Sequence, residues 1–350
     1  METDYKDFVQ KILKEIPERT RKILSRRFGL EKKEKGETLE VIGKSYNITR
    51  ERVRQIERDG FKKIKKIINS SDLKKDFEKI KTIFEKKIKQ FGGVKKEEEL
   101  ISEINFFQSK NQAFFLLNLI DTLKREKADN DFYAFWYNDP KKAVLAKKIA
   151  NEFVEEFKKR KEPDSIENVF KNFGKKENLN KEEFFSYLEI SRRISRSIDG
   201  KKIGLVDFSE INPKTVKDKI VLVLNENKKP LHFREITDLI FSLNKDLEKR
   251  DSRSFSLHPQ TVHNELIRGG DFVLVGRGLY ALKDWGYNPG RVKDVIKGIL
   301  NSFDEPLTKE QITEEVLKQR MVKKSTIFLG LQDKKIFDKN EEGKYKIREA

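Results

Sequence analysis

Apolar residues recur at helical spacing through most of the chain, so the pattern predicts helices first. Tyr5, Phe8, Val9, Ile12 and Leu13 fall on one side of a short amphipathic helix within residues 1–15. Ile16-Pro17 opens a second helix, since proline is tolerated in a first turn, and Gly29 ends it. Ile23, Leu24, Phe28 and Leu30 are its core candidates, and Glu31–Gly36 reads as a charged loop. The run TLEVIGKSYNITRERVRQIERDGFKKIKK, residues 38–66, then reads as a helix-turn-helix. Thr38 can cap the first helix and Thr49 the second through their hydroxyls. Gly43 allows close approach, and Asn47-Ile48 makes the turn. Val53, Ile56, Gly60, Ile64 and Ile67 share the inward face of the second helix, which runs out at Asn69-Ser70-Ser71.

Beyond that point the pattern repeats. Each copy is expected to hold a long helix, a second helix after a Pro or Gly, a third helix and a β-hairpin. The second helices are placed at residues 92–101, 162–170, 229–236 and 305–312, with anchors Val94, Pro163, Pro230 and Pro306 separated by 69, 67 and 76 residues. Residues 131–137, 201–208, 271–282 and 335–347 carry the β-branched and aromatic content of closing strands. The last two copies align best, residues 261–266 with 325–330 and 278–282 with 343–347. Three helices and a hairpin make the winged-helix plan. The expected fold class is therefore mainly α: a helix-turn-helix domain over 1–70, followed by tandem small winged-helix units over 72–138, 139–210, 212–288 and 289–350.

The outward face of the second N-terminal helix carries the chemistry. Arg50, Glu51, Arg54, Gln55 and Arg58 cluster near its start, where such a helix enters a major groove. Arg suits guanine O6/N7, Gln suits adenine N6/N7, and Glu accepts from cytosine N4. Lys62, Lys63, Lys65 and Lys66 continue the face and read either as phosphate contacts or as solubilising charge. The expected DNA-binding set is Thr49, Arg50, Glu51, Arg52, Arg54, Gln55, Arg58, Lys62, Lys63 and Lys66. Arg19, Arg21, Lys22, Arg26 and Arg27 form a basic helix before it, for which phosphate contact and plain surface charge both stand.

Composition narrows the classes. The chain of 350 residues has a formal net charge of +18, which fits a polyanionic partner, although abundant Lys, Asn, Ile and Phe also suit an A/T-biased genome. Cysteine is absent, which excludes disulfides and thiolate zinc sites. His232, His258 and His263 lack metal-ligand spacing. The Gly276-Arg277-Gly278 run lies between two strand-like stretches and reads as a hairpin turn, not a phosphate loop. Phe132–Tyr137 reads as a packed strand more than a base-stacking platform. Acidic residues are scattered, with no Walker loop, metal cluster or nucleophile constellation, so the expectation is no enzyme, no cofactor and no catalytic or metal residue. No membrane span or secretory signal is seen, and the expected location is the cytoplasm.

Two family resemblances follow from these motifs. RKILSRRFGL together with residues 38–66 resembles region 4 of bacterial RNA polymerase sigma factors, over about Ile16–Lys66. The resemblance implies that Arg50, Glu51, Arg54 and Gln55 meet a −35 promoter duplex. It implies RNA polymerase core as a partner, at the β flap, with a polymerase-facing pocket on the helix that precedes the helix-turn-helix. Family members usually carry Ala or Lys near Asp59-Gly60, and a mid-helix glycine costs about 1 kcal/mol against alanine, so the far end of the helix is expected to be less rigid. Residues 212–287, with Pro-Leu-His-Phe-Arg-Glu-Ile and Gly-Leu-Tyr-Ala-Leu-Lys-Asp-Trp-Gly, resemble the HARE-HTH winged-helix domain, found also in the polymerase δ subunit. The upstream sigma domain that captures melted bases is not part of this sequence, so an accessory or regulatory factor is expected, not a self-sufficient sigma factor. A DNA reader linked to restriction or modification and acting without polymerase is the alternative; a DNA-processing enzyme is the rival class.

Overall fold

The computed structural model describes residues 5–31, 36–104, 109–251, 257–287, 289–303 and 305–348. Helix α1 (Tyr5–Lys14) buries Phe8, Val9, Ile12 and Leu13, as the spacing requires. The side chain of Tyr5 and residues 32–35 of the charged loop lie outside the described residues. Pro17 precedes α2 (Glu18–Phe28), and Gly29 follows its end. The helix-turn-helix is α3 (Leu39–Ser45) and α4 (Arg50–Ser70). Then α5 (Leu73–Gln90) begins after a break at Ser71-Asp72.

From α5 onward one order of elements recurs four times. The first pass is α5, β1 (Val94–Lys96), α6 (Glu97–Glu103), α7 (Lys110–Leu117), β2 (Lys124–Glu126) and β3 (Phe135–Tyr137). The second is α8 (Pro140–Arg160), β4 (Asp164–Ser165), α9 (Ile166–Asn172), α10 (Lys181–Glu189), β5 (Ile194–Arg196) and β6 (Lys202–Leu205). The third is α11 (Val216–Asn227), β7 (Leu231–His232), α12 (Phe233–Asp251), α13 (Pro259–Arg268), β8 (Phe272–Gly276) and β9 (Leu279–Leu282). The fourth is α14 (Val292–Ser302), α15 (Lys309–Gln319), α16 (Lys324–Leu331), β10 (Phe337–Lys339) and β11 (Tyr345–Ile347). Sheet orders are β1-β3-β2, β4-β6-β5 and β7-β9-β8, all antiparallel. The fourth sheet is β10-β11, with Leu307 bridged to Tyr345 where the others have their short strand. The stretches read from sequence as starts of second helices therefore each open on two or three residues of strand, or on one bridge. The helix begins immediately after.

Two compact units result: residues 1–196 with 201–206, and residues 197–200 with 207–350. Within the first, one core runs from the helix-turn-helix into the first repeat. It joins Leu24 and Phe28 of α2, Ile64 and Ile68 of α4, Phe77, Ile80, Phe84 and Ile88 of α5, and Phe115, Leu116 and Leu117 of α7. Each such buried side chain contributes about 1.5–3 kcal/mol. The break at Ser71-Asp72 thus interrupts a helix and leaves the core whole. The aromatic strand belongs to the interior too: Phe132, Phe135 and Trp136 are buried, and the Trp136 indole donates to Glu97 at 2.9 Å.

In the second repeat α10 is buried along Phe184–Leu188 and clamps β1 of the first repeat. Ser186 Oγ donates to the Val94 carbonyl at 2.6 Å and Tyr187 Oη to the Gly92 carbonyl at 2.7 Å. Burial pushes the Tyr187 hydroxyl up to about 12, so it stays a donor. In the second unit the third repeat packs around Ile220, Leu224, Ile236 and Tyr280, and the fourth around Ile296, Ile299, Ile312 and Ile327.

Candidate nucleic-acid interface

The start of α4 is built as its sequence requires. Thr38 Oγ1 accepts from the Val41 N–H at 3.3 Å, and Thr49 Oγ1 from the Arg52 N–H at 3.1 Å. Each cap satisfies a backbone donor that the first turn leaves open. Asn47 takes the left-handed conformation at φ 53°, which asparagine tolerates better than most residues. The Ile48 N–H then donates to the Gly43 carbonyl at 3.0 Å. A Cβ on Gly43 would lie 2.7 Å from the Ile48 oxygen, so the turn closes tightly only over glycine. Beneath it Ile23, Ile42 and Val53 are fully buried, with Leu39, Tyr46, Ile48 and Ile56 packed around them. That cluster sets the angle at which α4 leaves the domain.

Gly60 has a different role from the one expected. The helix continues through it to Ser70. A Cβ there would come within 2.9 Å of Thr20 Cγ2 and 3.0 Å of Leu24 Cδ1, because α2 crosses α4 at this point. The lost helix propensity is offset by close packing, and the expectation of a loosened far end gives way to a helix–helix crossing.

The outward face is exposed at Thr49, Arg50, Glu51, Arg52, Arg54, Arg58, Lys62, Lys63 and Lys66, with Gln55 half-buried. Two pairs along it are already formed. Arg54 Nε and Nη2 donate to the two Glu51 oxygens at 2.8 Å each, and Arg52 Nη1 donates to Gln55 Oε1 at 3.1 Å. The bond from Arg54, helped by the charges of Arg58 and Arg50, holds the Glu51 carboxyl below its ordinary range. Glu51 is thus an anion that orients Arg54 from one turn back. Arg50 and Arg58 make no ion pair with a described residue. Glu57 lines the same groove as Arg54 and Arg58; burial pushes its carboxyl up, and Arg27 stands 3.5 Å away.

The basic helix α2 is mostly committed within the chain. Arg26 binds both Glu37 oxygens at 2.8 and 2.6 Å and Ser45 Oγ at 2.6 Å. Arg27 donates to the Glu37 carbonyl at 2.8 Å. Arg26 and Arg19 lie over the Tyr46 ring, 5.7 and 6.0 Å from its centre, and Lys22 pairs with Glu18 at 2.7 Å. Neither phosphate contact nor idle surface charge describes Arg26 and Arg27. They fasten α2 to the segment that leads into α3, and no sequence spacing announces Glu37 as their partner.

The apolar side of α2 is also closed. Phe28 meets Phe61, Phe114 and Phe115 with ring centres 5.5, 5.7 and 5.3 Å apart, and Asn111 Nδ2 donates to the Gly29 carbonyl at 3.0 Å. Ile23, Leu24 and Phe28 are all buried. On this helix, for which the resemblance implies a polymerase-facing pocket, α7 of the same chain packs on Phe28. An open groove along α4 is lined by Glu51, Arg54, Gln55, Glu57, Arg58, Phe61, Lys62 and Lys65 with Asn118 at its wall, and Lys65 is ion-paired with Asp121.

Comparison with known proteins singles out this part of the chain. Residues 12–66 match the family described as Sigma-70, region 4. The chain is 43% identical over 65 residues to the RNA polymerase sigma factor RpoS of Coxiella burnetii, covering 19% of this chain and 18% of that protein. It is 45% identical over 65 residues to RpoD of Helicobacter pylori, covering 19% of this chain and 10% of that protein. With SigA of Clostridium acetobutylicum it shares 42% over 69 residues, 20% of this chain and 18% of that one. The chain therefore spans less than a fifth of the length of these relatives, and the likeness covers α2, α3 and α4 and little else. No described helix is long and apolar enough to cross a membrane.

Proposed function

We propose that this chain binds promoter DNA of the −35 type by laying α4 in the major groove, and that it works with RNA polymerase in transcription initiation or its regulation. The observation that carries the reading is the outward face of the first half of α4. Arg50, Glu51, Arg54 and Arg58 stand in solvent, with Gln55 half-buried beside them, on a capped helix whose other side is locked into Ile23, Ile42 and Val53. A helix about 10–12 Å across fits a groove about 12 Å wide. Thr49 and Arg52 complete the set at the helix start, and Lys62, Lys63 and Lys66 run on toward phosphates, which position without specifying.

The four repeats are read as winged-helix units, the third, 212–288, of the HARE-HTH kind. A short strand pairing with a hairpin beside three helices supports that plan in the first three, and a single bridge from Leu307 to the hairpin does so in the fourth. They would lengthen the footprint or touch polymerase, raising avidity through effective concentration. The polymerase partner is taken to be the core enzyme at its β flap. Since α2 keeps no open apolar side, that contact uses other residues of the chain.

The test is capture of core polymerase by the tagged full chain, run beside duplex selection from a random pool. Polymerase subunits retained together with one preferred duplex support the proposal. Selection of a duplex with no polymerase retained would move the chain to the class of independent DNA readers. Lys62→Ala should weaken binding to preferred and scrambled duplexes alike and lower the salt slope by about 1, measured by titration at several salt concentrations.

A further inference from the structure

The lysine run at the far end of α4 contains one pairing that duplex binding leaves unexplained. Lys62, Lys63 and Lys66 are exposed and make no ion pair with a described residue, whereas Lys65 is bound to Asp121, 56 positions later in the chain. Asp121 sits on the segment that leaves α7. Its backbone is fixed, because Leu119, Ile120 and Leu123 around it are 1%, 3% and 3% exposed. Its side chain is 77% exposed. Next to it Thr122 donates to Glu85 of α5, so a second carboxylate stands close by. Asn118, three residues before Asp121, forms the wall of the groove that Glu51, Arg54, Glu57, Arg58, Lys62 and Lys65 line. A phosphate strand flanking α4 in a major groove would run along that wall.

We propose that Asp121 is a phosphate competitor built into the fold. It holds Lys65 in the free chain and competes with phosphates for it when DNA arrives. An exposed ion pair of this kind adds little to stability, and the lysine stem is flexible enough to leave it. While that pair holds, Lys65 is withheld from the incoming phosphates. The pair lowers affinity for every duplex without altering base preference, so that sequence selection falls to Arg54 and its neighbours. The inference rests on α4 lying in the groove.

Asp121→Asn, Lys65→Ala and the double variant of the full chain would be titrated against a scrambled duplex and a selected one at several salt concentrations. Asp121→Asn is expected to tighten both duplexes by roughly 3- to 10-fold and to steepen the salt slope by about 1. Lys65→Ala alone is expected to change little, and to abolish the gain when added to Asp121→Asn. Unchanged affinity in Asp121→Asn, or a gain that survives loss of Lys65, overturns the proposal while leaving duplex reading intact. Absence of duplex binding by the unaltered chain overturns both.

Discussion

Phe115→Ala is expected to destabilise the first unit by about 3–5 kcal/mol, the range for removing a fully buried phenyl ring. Phe115 is 0% exposed and meets both Phe28 of α2 and Phe61 of α4, at 5.3 and 5.4 Å between ring centres. The ring belongs to the first repeat, but the helices it supports belong to the helix-turn-helix. Hydrogen exchange of the full chain should therefore show protection falling together in α2, α4 and α7. Loss confined to α7 would mean that the N-terminal domain holds itself together, and the shared core would count for little.

Arg54→Ala carries the second large expectation. A bidentate arginine is worth about 1–3 kcal/mol of base discrimination, or roughly 5- to 150-fold in the ratio of preferred to scrambled duplex. In the free chain both Glu51 oxygens accept from Arg54, so the guanidinium is already held at the helix start and loses little freedom on docking. The readout is that ratio. An equal loss on both duplexes would make Arg54 a phosphate contact and remove it from the reading set. Lys62→Ala provides the contrast, since it should lower both affinities and leave the ratio alone.

The N-terminal elements were legible because their signals are local. Thr38, Thr49, Asn47 and Gly43 act within one turn of where they stand, and the structure uses the two threonines and Asn47 as the spacing implied. The order of the repeats was legible as well, from helical spacing punctuated at Val94, Pro163, Pro230 and Pro306. The short strands β1, β4 and β7 were not, because two or three residues show no alternation and owe their state to a hairpin many residues downstream. Tertiary partners were beyond reach for the same reason. Glu37 for Arg26, Asp121 for Lys65 and Phe115 for Phe28 are joined by folding, with no fixed separation in sequence to reveal them. The Glu51–Arg54 pair could have been found, as it follows the i,i+3 rule. Helix propensity describes Gly60 only as part of an isolated helix, and here a second helix crosses at that residue.

A segment that borrows part of its interior from its neighbour cannot be shuffled as a cassette. Cut at Ser71, the N-terminal piece would carry Phe28, Phe61, Ile64 and Ile68 into water and lose the covering rings of Phe114 and Phe115. Transplanting the 12–66 match into another protein would thus require either repainting those positions with polar side chains or moving the chain as far as Leu123 along with it.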